Sequence, residues 1–241
     1  MSVWWRPDRL AWWTGLLFAI GSVLFLVPGV AALGSSADWI GVAFFAGSIF
    51  FTSAAGLQLL AASEVPHRAR PAHERRMLRP RAWLPRAVDW LAAAVQFPGT
   101  ILFNVNTFEA LNHALDPTQV NVRVWTPDMI GSGCFLVASL LAFANSEHRW
   151  VSFRPHDLDW WIAGANLLGS IAFGISAVAA FVRPATGTAV NDAIANGGTA
   201  AGAACFLIGA LLLPVQADRQ QGAGPVGGPE PPPQPSAARE A

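Results

Sequence analysis

The stretch Gly169-Ser170-Ile171-Ala172-Phe173 carries the pattern that decides the fold of this chain. A glycine is followed by a small residue and, four positions after the glycine, by a phenylalanine. Chance would place roughly one such match or fewer in the chain, so repeated occurrence in separate apolar segments indicates an internal repeat. The other copies are Gly21-Ser22-x-x-Phe25, Gly47-Ser48-x-x-Phe51, Gly99-Thr100-x-x-Phe103, Gly131-Ser132-x-x-Phe135 and Gly202-Ala203-x-x-Phe206.

The segments that carry the pattern are long enough to cross a membrane. Only 12% of the 241 residues are charged, against about 25% in soluble domains. An apolar run of about 20 residues spans a bilayer core, and helices satisfy their own backbone hydrogen bonds there. We therefore predict an all-α integral membrane protein in the lipid bilayer. Its six transmembrane helices are predicted at 11–32, 39–62, 90–111, 128–145, 160–182 and 192–215.

The basic residues predict the orientation of these helices. All fifteen are arginines, seven of them from Arg68 to Arg86, and only Arg123 and Arg183 fall in loops of the opposite side. Because cytoplasmic loops are rich in basic residues, both termini are predicted to be cytoplasmic. Abundant Ala, Gly, Pro and Arg, with no Lys or Tyr, suggests a GC-rich bacterial genome and hence the inner membrane.

The basic loop also allows a second interpretation. Arginine clusters beside a membrane attract anionic lipid head groups, so an anionic lipid is a possible partner from Arg68 to Arg86. No stacking aromatics are interleaved with these arginines, so a nucleic-acid partner is not expected.

The helices group into pairs. The first, third and fifth align without gaps, with Trp12, Trp90 and Trp160 at equivalent positions, and the fourth aligns with the sixth. For the second helix, either Gly47 or Gly41 can be aligned with Gly131. We predict three tandem two-helix hairpins at 1–62, 82–146 and 153–215. A basic loop at 63–81 and a short loop at 147–152 join them, and a disordered Pro- and Gly-rich tail follows at 216–241.

Helix starts are predicted from capping residues. Asp38, Asp128 and Asp192 are expected to cap the even-numbered helices, and Thr126-Pro127-Asp128 is the clearest start signal. The glycines of the repeated pattern are expected to serve helix packing, since small residues let membrane helices approach closely. A backbone-lined ion path is the alternative. The packing glycines are Gly21, Gly47, Gly99, Gly131, Gly169 and Gly202.

Several polar residues lie inside the predicted membrane helices. Gln96 and Asn166 occupy equivalent positions, three before the glycine, and Phe18 holds that position in the first helix. Helical spacing places Asn106 on the same face as Gln96, and Asn196 on the glycine face of the sixth helix. Such groups face a bundle interior, where they either join helices or line a path for a solute or ion.

Glu109 and His113 have helical spacing near the end of the third helix, which fits either a solvated helix end or an entrance for a proton or cation. Cys134 and Cys205 are expected to pack as small apolar residues. The five histidines show no metal-ligand spacing. No nucleotide-binding loop, serine elbow or carboxylate pair is present, so catalysis, cofactors and metals are not expected.

The paired helices resemble the YrhK-like domain of bacterial membrane proteins. The resemblance lies in runs such as Trp12-Trp13…Gly21-Ser22…Phe25 and Phe44-Phe45-Ala46-Gly47-Ser48-Ile49-Phe50-Phe51-Thr52, and it looks closest to larger, multi-hairpin actinobacterial members. It would extend over residues 1–215. The resemblance implies a multipass inner-membrane protein of undetermined activity and assigns no catalytic or binding residue.

Two functions are compatible with these features. The leading hypothesis is a transporter- or channel-like protein whose polar path includes Gln96, Asn106, Asn166, Asn196 and, at its end, Glu109. The alternative is a membrane scaffold in which these residues only join helices and the basic loop or the tail recruits a partner.

Overall fold

A computed structural model describes residues 9–68, 88–147 and 157–222 of the chain. Within these ranges the chain forms six helices that are long and apolar enough to cross a membrane. This confirms an all-helical architecture with six candidate spans. Five of them are single α-helices: α1 Leu10–Ala31, α2 Trp39–Arg68, α3 Val88–Glu109, α6 Leu158–Ala179 and α7 Asp192–Gly222. The fourth span is one continuous helix in three parts: α4 Pro117–Val120, a π-helical turn Asn121–Trp125 and α5 Thr126–Glu147.

The fourth helix begins eleven residues earlier than predicted, at Pro117 instead of Asp128. Asp116 caps it, since its side chain accepts from the Gln119 amide while the Gln119 side chain accepts from the Asp116 amide. The π-helical turn then continues the helix into α5, and its wider winding precedes Pro127, which has no amide hydrogen to donate. The apparent start signal at Thr126-Pro127-Asp128 is therefore a change of winding inside a continuous helix.

Two other helices extend beyond their predicted ends. The second continues to Arg68 and α7 continues to Gly222, so the first positions of the predicted loop and tail are helical. Apolar content marks only the part of a helix that a bilayer would surround, and these extensions are polar. Between α6 and α7, strands β1 Val182–Arg183 and β2 Thr188–Ala189 form a short antiparallel ladder.

The helices form a closed ring. Each one packs against two neighbours, in the order α1, α2, α3, α5, α6, α7 and back to α1. Within the ring, the contacts α1–α2, α3–α5 and α6–α7 bring the repeated glycines together. A methyl group added at Gly21 would lie 3.1 Å from the Gly47 carbonyl oxygen, and one at Gly202 would lie 2.9 Å from the Gly169 carbonyl oxygen. Gly99 and Gly131 face each other in the same way.

Each of these glycines is covered by the phenylalanine of the facing helix. A methyl group at Gly21 would meet the Phe51 ring at 2.9 Å, and one at Gly47 would meet the Phe25 ring at 2.8 Å. The two glycines of the second helix that could be aligned with Gly131 make different contacts. Gly47 faces Gly21 as Gly131 faces Gly99, whereas a methyl group at Gly41 would meet only Leu111.

The six phenylalanines of the pattern meet at the centre of the ring, where each is at most 6% exposed. We call this set the phenylalanine waist. Three rings come from α1, α3 and α6, with centroids 5.9 to 6.5 Å apart. Three come from α2, α5 and α7, with centroids 5.6 to 6.4 Å apart. Contacts of 5.1 to 5.4 Å join the two layers. The rings are Phe25, Phe103 and Phe173 in the first layer, and Phe51, Phe135 and Phe206 in the second.

The remaining contacts of the ring use hydroxyl groups or close backbone approach. Ser48 and Thr107 join α2 to α3 with their hydroxyl oxygens 3.0 Å apart, and Ser139 and Ser170 join α5 to α6 at 2.7 Å. At the α1–α7 contact, a methyl group on Gly15 would lie 3.0 Å from the Ala210 carbonyl oxygen. These contacts close the ring.

Candidate polar cavities

The structure divides the predicted polar residues between two cavities, one on each side of the phenylalanine waist. The near cavity lies at the end of the bundle where α1, α3 and α6 begin, and the far cavity lies at the end where these helices finish. Gln96 and Asn166 line the near cavity, whereas Asn106 and Asn196 line the far cavity. The predicted path is therefore interrupted at its centre.

The near cavity has a volume of about 490 Å³. Five carboxamides line it. Two of them, Asn145 and Gln216, belong to its rim, and the other three are Gln58 from α2, Gln96 from α3 and Asn166 from α6. Phe18 and Phe206 also line it. Phe206 belongs to the waist, and the Phe18 ring lies 5.7 Å from the Phe51 ring of the waist between centroids. Phe18, Gln96 and Asn166 hold equivalent positions in the repeated pattern, so the same place in three helices contributes one aromatic ring and two amides.

The rim of the near cavity is joined by two similar polar pairs. Asn145 on α5 donates to the Asp89 carboxylate on α3 at 2.8 Å, and Gln216 on α7 donates to the Asp159 carboxylate on α6 at 2.6 Å. Asn145 and Gln216 each lie fourteen residues after the glycine of their helix. The first helix pair has Ala11 in the place of the two aspartates. The two polar pairs therefore lie within the second and third helix pairs, one in each.

Apart from Asn145 and Gln216 at the rim, the carboxamides of the near cavity do not join helices. Among the described ranges 9–68, 88–147 and 157–222, the Gln58, Gln96 and Asn166 side chains make no hydrogen bond. Hydrogen bonds do involve Asn166, but they reach its backbone carbonyl, from Ser139 at 3.3 Å and Ser170 at 2.9 Å. Unbonded amides inside an apolar bundle are costly unless water or a ligand bonds them. The geometry therefore calls for a hydrated cavity here.

The far cavity is smaller, about 180 Å³, and its polar groups bond one another. Asn106 lies beside the Asp128 side chain, and Asn196 donates to the Ala32 carbonyl oxygen on α1 at 3.4 Å. Ser176 donates to the Ala195 carbonyl oxygen at 2.5 Å. In this cavity the interpretation that polar residues join helices fits the contacts.

The π-helical turn forms part of the far cavity wall through Val124 and Trp125. Trp125 donates through Nε1 to the Ala177 carbonyl oxygen on α6 at 2.8 Å. Asn121 makes two hydrogen bonds to the backbone of Val182 in β1, donating at 2.6 Å and accepting at 3.0 Å. The turn is thus fixed to the third helix pair, where it covers one side of the cavity.

Glu109 lines neither cavity and pairs with Arg123. The two charged groups are 3.5 Å apart, and their side chains are 26% and 53% exposed. His113 is exposed. The contacts of Glu109 are those of a solvated helix end.

Two lining residues were not singled out from the sequence. Gln58 lies within the apolar run of α2, and a carboxamide there is itself a signal of an interior-facing position. Asp128 was assigned only a capping role, because the fourth helix was expected to begin there. Its position eleven residues inside a continuous helix that begins at Pro117 brings it to the far cavity wall.

Other predicted features carry no site in the described residues. No group of three or more His, Cys, Asp or Glu residues there could hold a metal ion. Cys134 and Cys205 are free and partly buried. The arginines from Arg70 to Arg86 and the end of the tail from position 223 lie outside the described residues, as does the side chain of Arg68.

Comparison with known proteins gives one match. Residues 106–185 match the family described as YrhK-like protein, whereas no curated protein and no solved structure matches the chain. The matched region runs from the last turn of α3 through the fourth helix and α6 to β1. It crosses the loop predicted to separate the second and third hairpins, and it does not include the runs in α1 and α2 on which the resemblance rests. The chain therefore contains a YrhK-like domain at residues 106–185.

Proposed function

We propose that this chain is a transporter- or channel-like protein of the bacterial inner membrane, in which the two cavities are the ends of one path for a small solute or ion. The observation that carries the proposal is the near cavity. Three carboxamides from three helices, Gln58, Gln96 and Asn166, line a 490 Å³ space without bonding one another or neighbouring helices. Residues that served only to join helices would be bonded across the interface, as Asn196 is.

The architecture that supports this path is a tandem repeat of three helix pairs. The facing glycines at α1–α2, α3–α5 and α6–α7 and the three-ring layers of the waist support it, since equivalent positions make equivalent contacts around the ring. With an even number of helices in each pair, the repeats are parallel and related by an axis along the membrane normal. The proposal places both termini in the cytoplasm, so the near cavity opens towards the cytoplasm.

A flux assay tests the proposal. The full chain is reconstituted in liposomes, and efflux of K⁺, ammonium, chloride and glycerol is measured with empty liposomes as background. We expect flux of at least one of these probes above background. Gln96→Leu and Asn166→Leu should reduce it, because each removes an amide from the near cavity. Ser53→Ala is the control, because Ser53 is exposed and bonds only the Ile49 carbonyl oxygen of its own helix.

The outcomes separate the two functions. Flux that falls in both cavity variants but not in the control supports a path through the near cavity. Flux equal to background for every probe, with folded protein in the liposomes, contradicts a path for these solutes and leaves the scaffold interpretation. Flux that is the same in the wild type and in both Leu variants places any path elsewhere.

The orientation is tested separately with a reporter fused after Arg76. We expect the reporter to be cytoplasmic, because the arginines around it favour that side. A reporter on the opposite side would reverse the orientation while leaving the two cavities and the waist as they are.

A further inference from the structure

We infer that the phenylalanine waist is a closed gate, which isolates the near cavity from the far cavity until its rings move. The inference rests on the proposed function, because a gate matters only if the two cavities belong to one path. It assigns a second role to residues that the sequence marks as packing positions. With the gate closed, each cavity meets water from one face of the membrane only.

The geometry of the waist is that of a seal. In each layer the ring centroids are 5.6 to 6.5 Å apart, within the contact range of about 4.5–7 Å for aromatic pairs. Ring contacts of 5.1 to 5.4 Å join the layers. Neither cavity continues through the waist: Phe25, Phe103 and Phe173 border the far cavity, and Phe206 borders the near one. Two apolar layers in contact exclude water from the axis of the bundle.

The surroundings of the waist give its rings somewhere to move. Close-packed side chains cannot rotate without free volume beside them. Here the layer from α1, α3 and α6 borders about 180 Å³ of space, and Phe206 of the other layer borders about 490 Å³. A gate needs tight closure with space next to it, and a core that served only for stability would have no reason to border two cavities.

The polar residues on the two sides of the waist allow a direct test by cysteine labelling. The native cysteines are first replaced by Cys134→Ala and Cys205→Ala, which keep the Cβ atoms. Gln96→Cys then reports on the near cavity and Asn106→Cys on the far cavity. A charged, membrane-impermeant thiol reagent is applied to one face of sealed vesicles of the full chain at a time. We expect Gln96→Cys to be labelled from one face only and Asn106→Cys from the opposite face only.

A second substitution opens the gate. Phe135→Ala removes the ring that contacts Phe51, Phe103 and Phe206, and we expect Gln96→Cys then to be labelled from both faces. Phe108→Ala is the matched control, because Phe108 is 58% exposed on the outside of α3. With it, labelling should stay one-sided. If Phe135→Ala does not yield folded protein, Phe135→Leu is tested in its place, because leucine removes the ring but keeps more of the side-chain volume.

The labelling pattern distinguishes failure of the gate from failure of the proposed function. Labelling of Gln96→Cys from both faces with the waist intact overturns the gate while leaving an open path. One-sided labelling that persists in a folded Phe135 variant also overturns it. If Gln96→Cys is labelled from neither face, the near cavity is dry and the proposed path itself is contradicted.

Discussion

The phenylalanine waist and the near cavity are built from the same repeated pattern but differ in how uniform they are. Four residues after the glycine, all six copies have phenylalanine, and all six rings are buried together. Three residues before the glycine, the odd-numbered helices have Phe18, Gln96 and Asn166, and these border a cavity. The sequence pattern thus has the same residue type at the positions that form the waist, while the positions beside the waist differ from one helix to the next.

The two cavities differ in a further respect. In the far cavity, Asn196 and Ser176 are bonded to neighbouring groups, whereas in the near cavity the carboxamides of Gln58 and Gln96 make no hydrogen bond with described residues. Polar residues in a membrane bundle therefore do not all have one role. Asn196 and Asn145 each bond a neighbouring helix, one in each cavity, whereas Gln58 and Gln96 in the near cavity do not.

The largest effect is expected where the repeat brings backbones together. A side chain at Gly202 would meet the Gly169 carbonyl oxygen at 2.9 Å and the Phe173 ring at 3.1 Å. The carbonyl belongs to a helix backbone and cannot give way, so Gly202→Leu should cost about 3 kcal/mol or more. We expect little or no folded protein, measured by the monodisperse fraction in size-exclusion chromatography.

Gly174→Leu is the control for this prediction. Gly174 lies on α6, which packs against the helix that carries Gly202, but an added methyl group at Gly174 would have no neighbour within 4 Å. The control should give a monodisperse yield close to that of the wild type. Equal loss in both variants would mean that any leucine at a helix glycine is harmful and that the facing glycines have no special role.

The second effect concerns the stability of the waist. Phe135 is 1% exposed and touches three other rings of the waist, so Phe135→Ala leaves a void at the centre of the bundle. Lipid is as apolar as a side chain, so lost packing contributes most of the cost. We expect about 2 kcal/mol, below the usual range for this substitution in soluble cores. Unfolding by SDS in mixed micelles measures it, and exposed Phe108→Ala should change stability by less than about 0.5 kcal/mol.

The sequence predicted the candidate spans better than the site. The six glycines and phenylalanines repeat at fixed spacing, so a local pattern was enough to place them on one face of each helix. It could not show that Phe103 and Phe173 would meet Phe25, because contact between distant helices depends on how the ring closes. The division of Gln96 and Asn106 between two cavities has the same cause: they share a helix face, but the waist lies between them.

The errors at helix ends have a different physical origin. The residues at Thr126-Pro127-Asp128 are typical of a helix start, but in the structure the helix already runs through them from a π-helical turn. A change from π-helical to α-helical winding leaves no pattern of apolar spacing that the sequence would show. The YrhK-like domain at 106–185 shows a related ambiguity. In a row of similar helices, an odd-numbered helix can be paired with the helix before it or with the helix after it. The repeated sequence pattern alone does not decide which pairing forms a domain.

A smaller effect is expected from the attachment of the π-helical turn. Asn121 makes two hydrogen bonds to the Val182 backbone, and Asn121→Ala leaves both Val182 groups without these partners. Partial exposure lets water replace them, so the cost should be about 1 kcal/mol. Hydrogen exchange should show faster exchange of the Val182 amide while the amides of the waist are unchanged. Faster exchange throughout the bundle would instead make the turn part of the same cooperative unit as the waist.

The smallest effect is expected for the hydroxyl pairs between helices. Ser139 and Ser170 lie 2.7 Å apart, but Ser170 can also donate to the Asn166 or Phe135 carbonyl oxygens, at 2.9 and 3.2 Å. Because these alternatives remain when one partner is lost, Ser139→Ala should cost only about 0.6 kcal/mol, the average for polar contacts between membrane helices. A double-mutant cycle with Ser170→Ala measures the coupling by SDS unfolding. Coupling as large as the effect of Phe135→Ala would show that hydroxyl contacts, and not the waist, hold the ring closed.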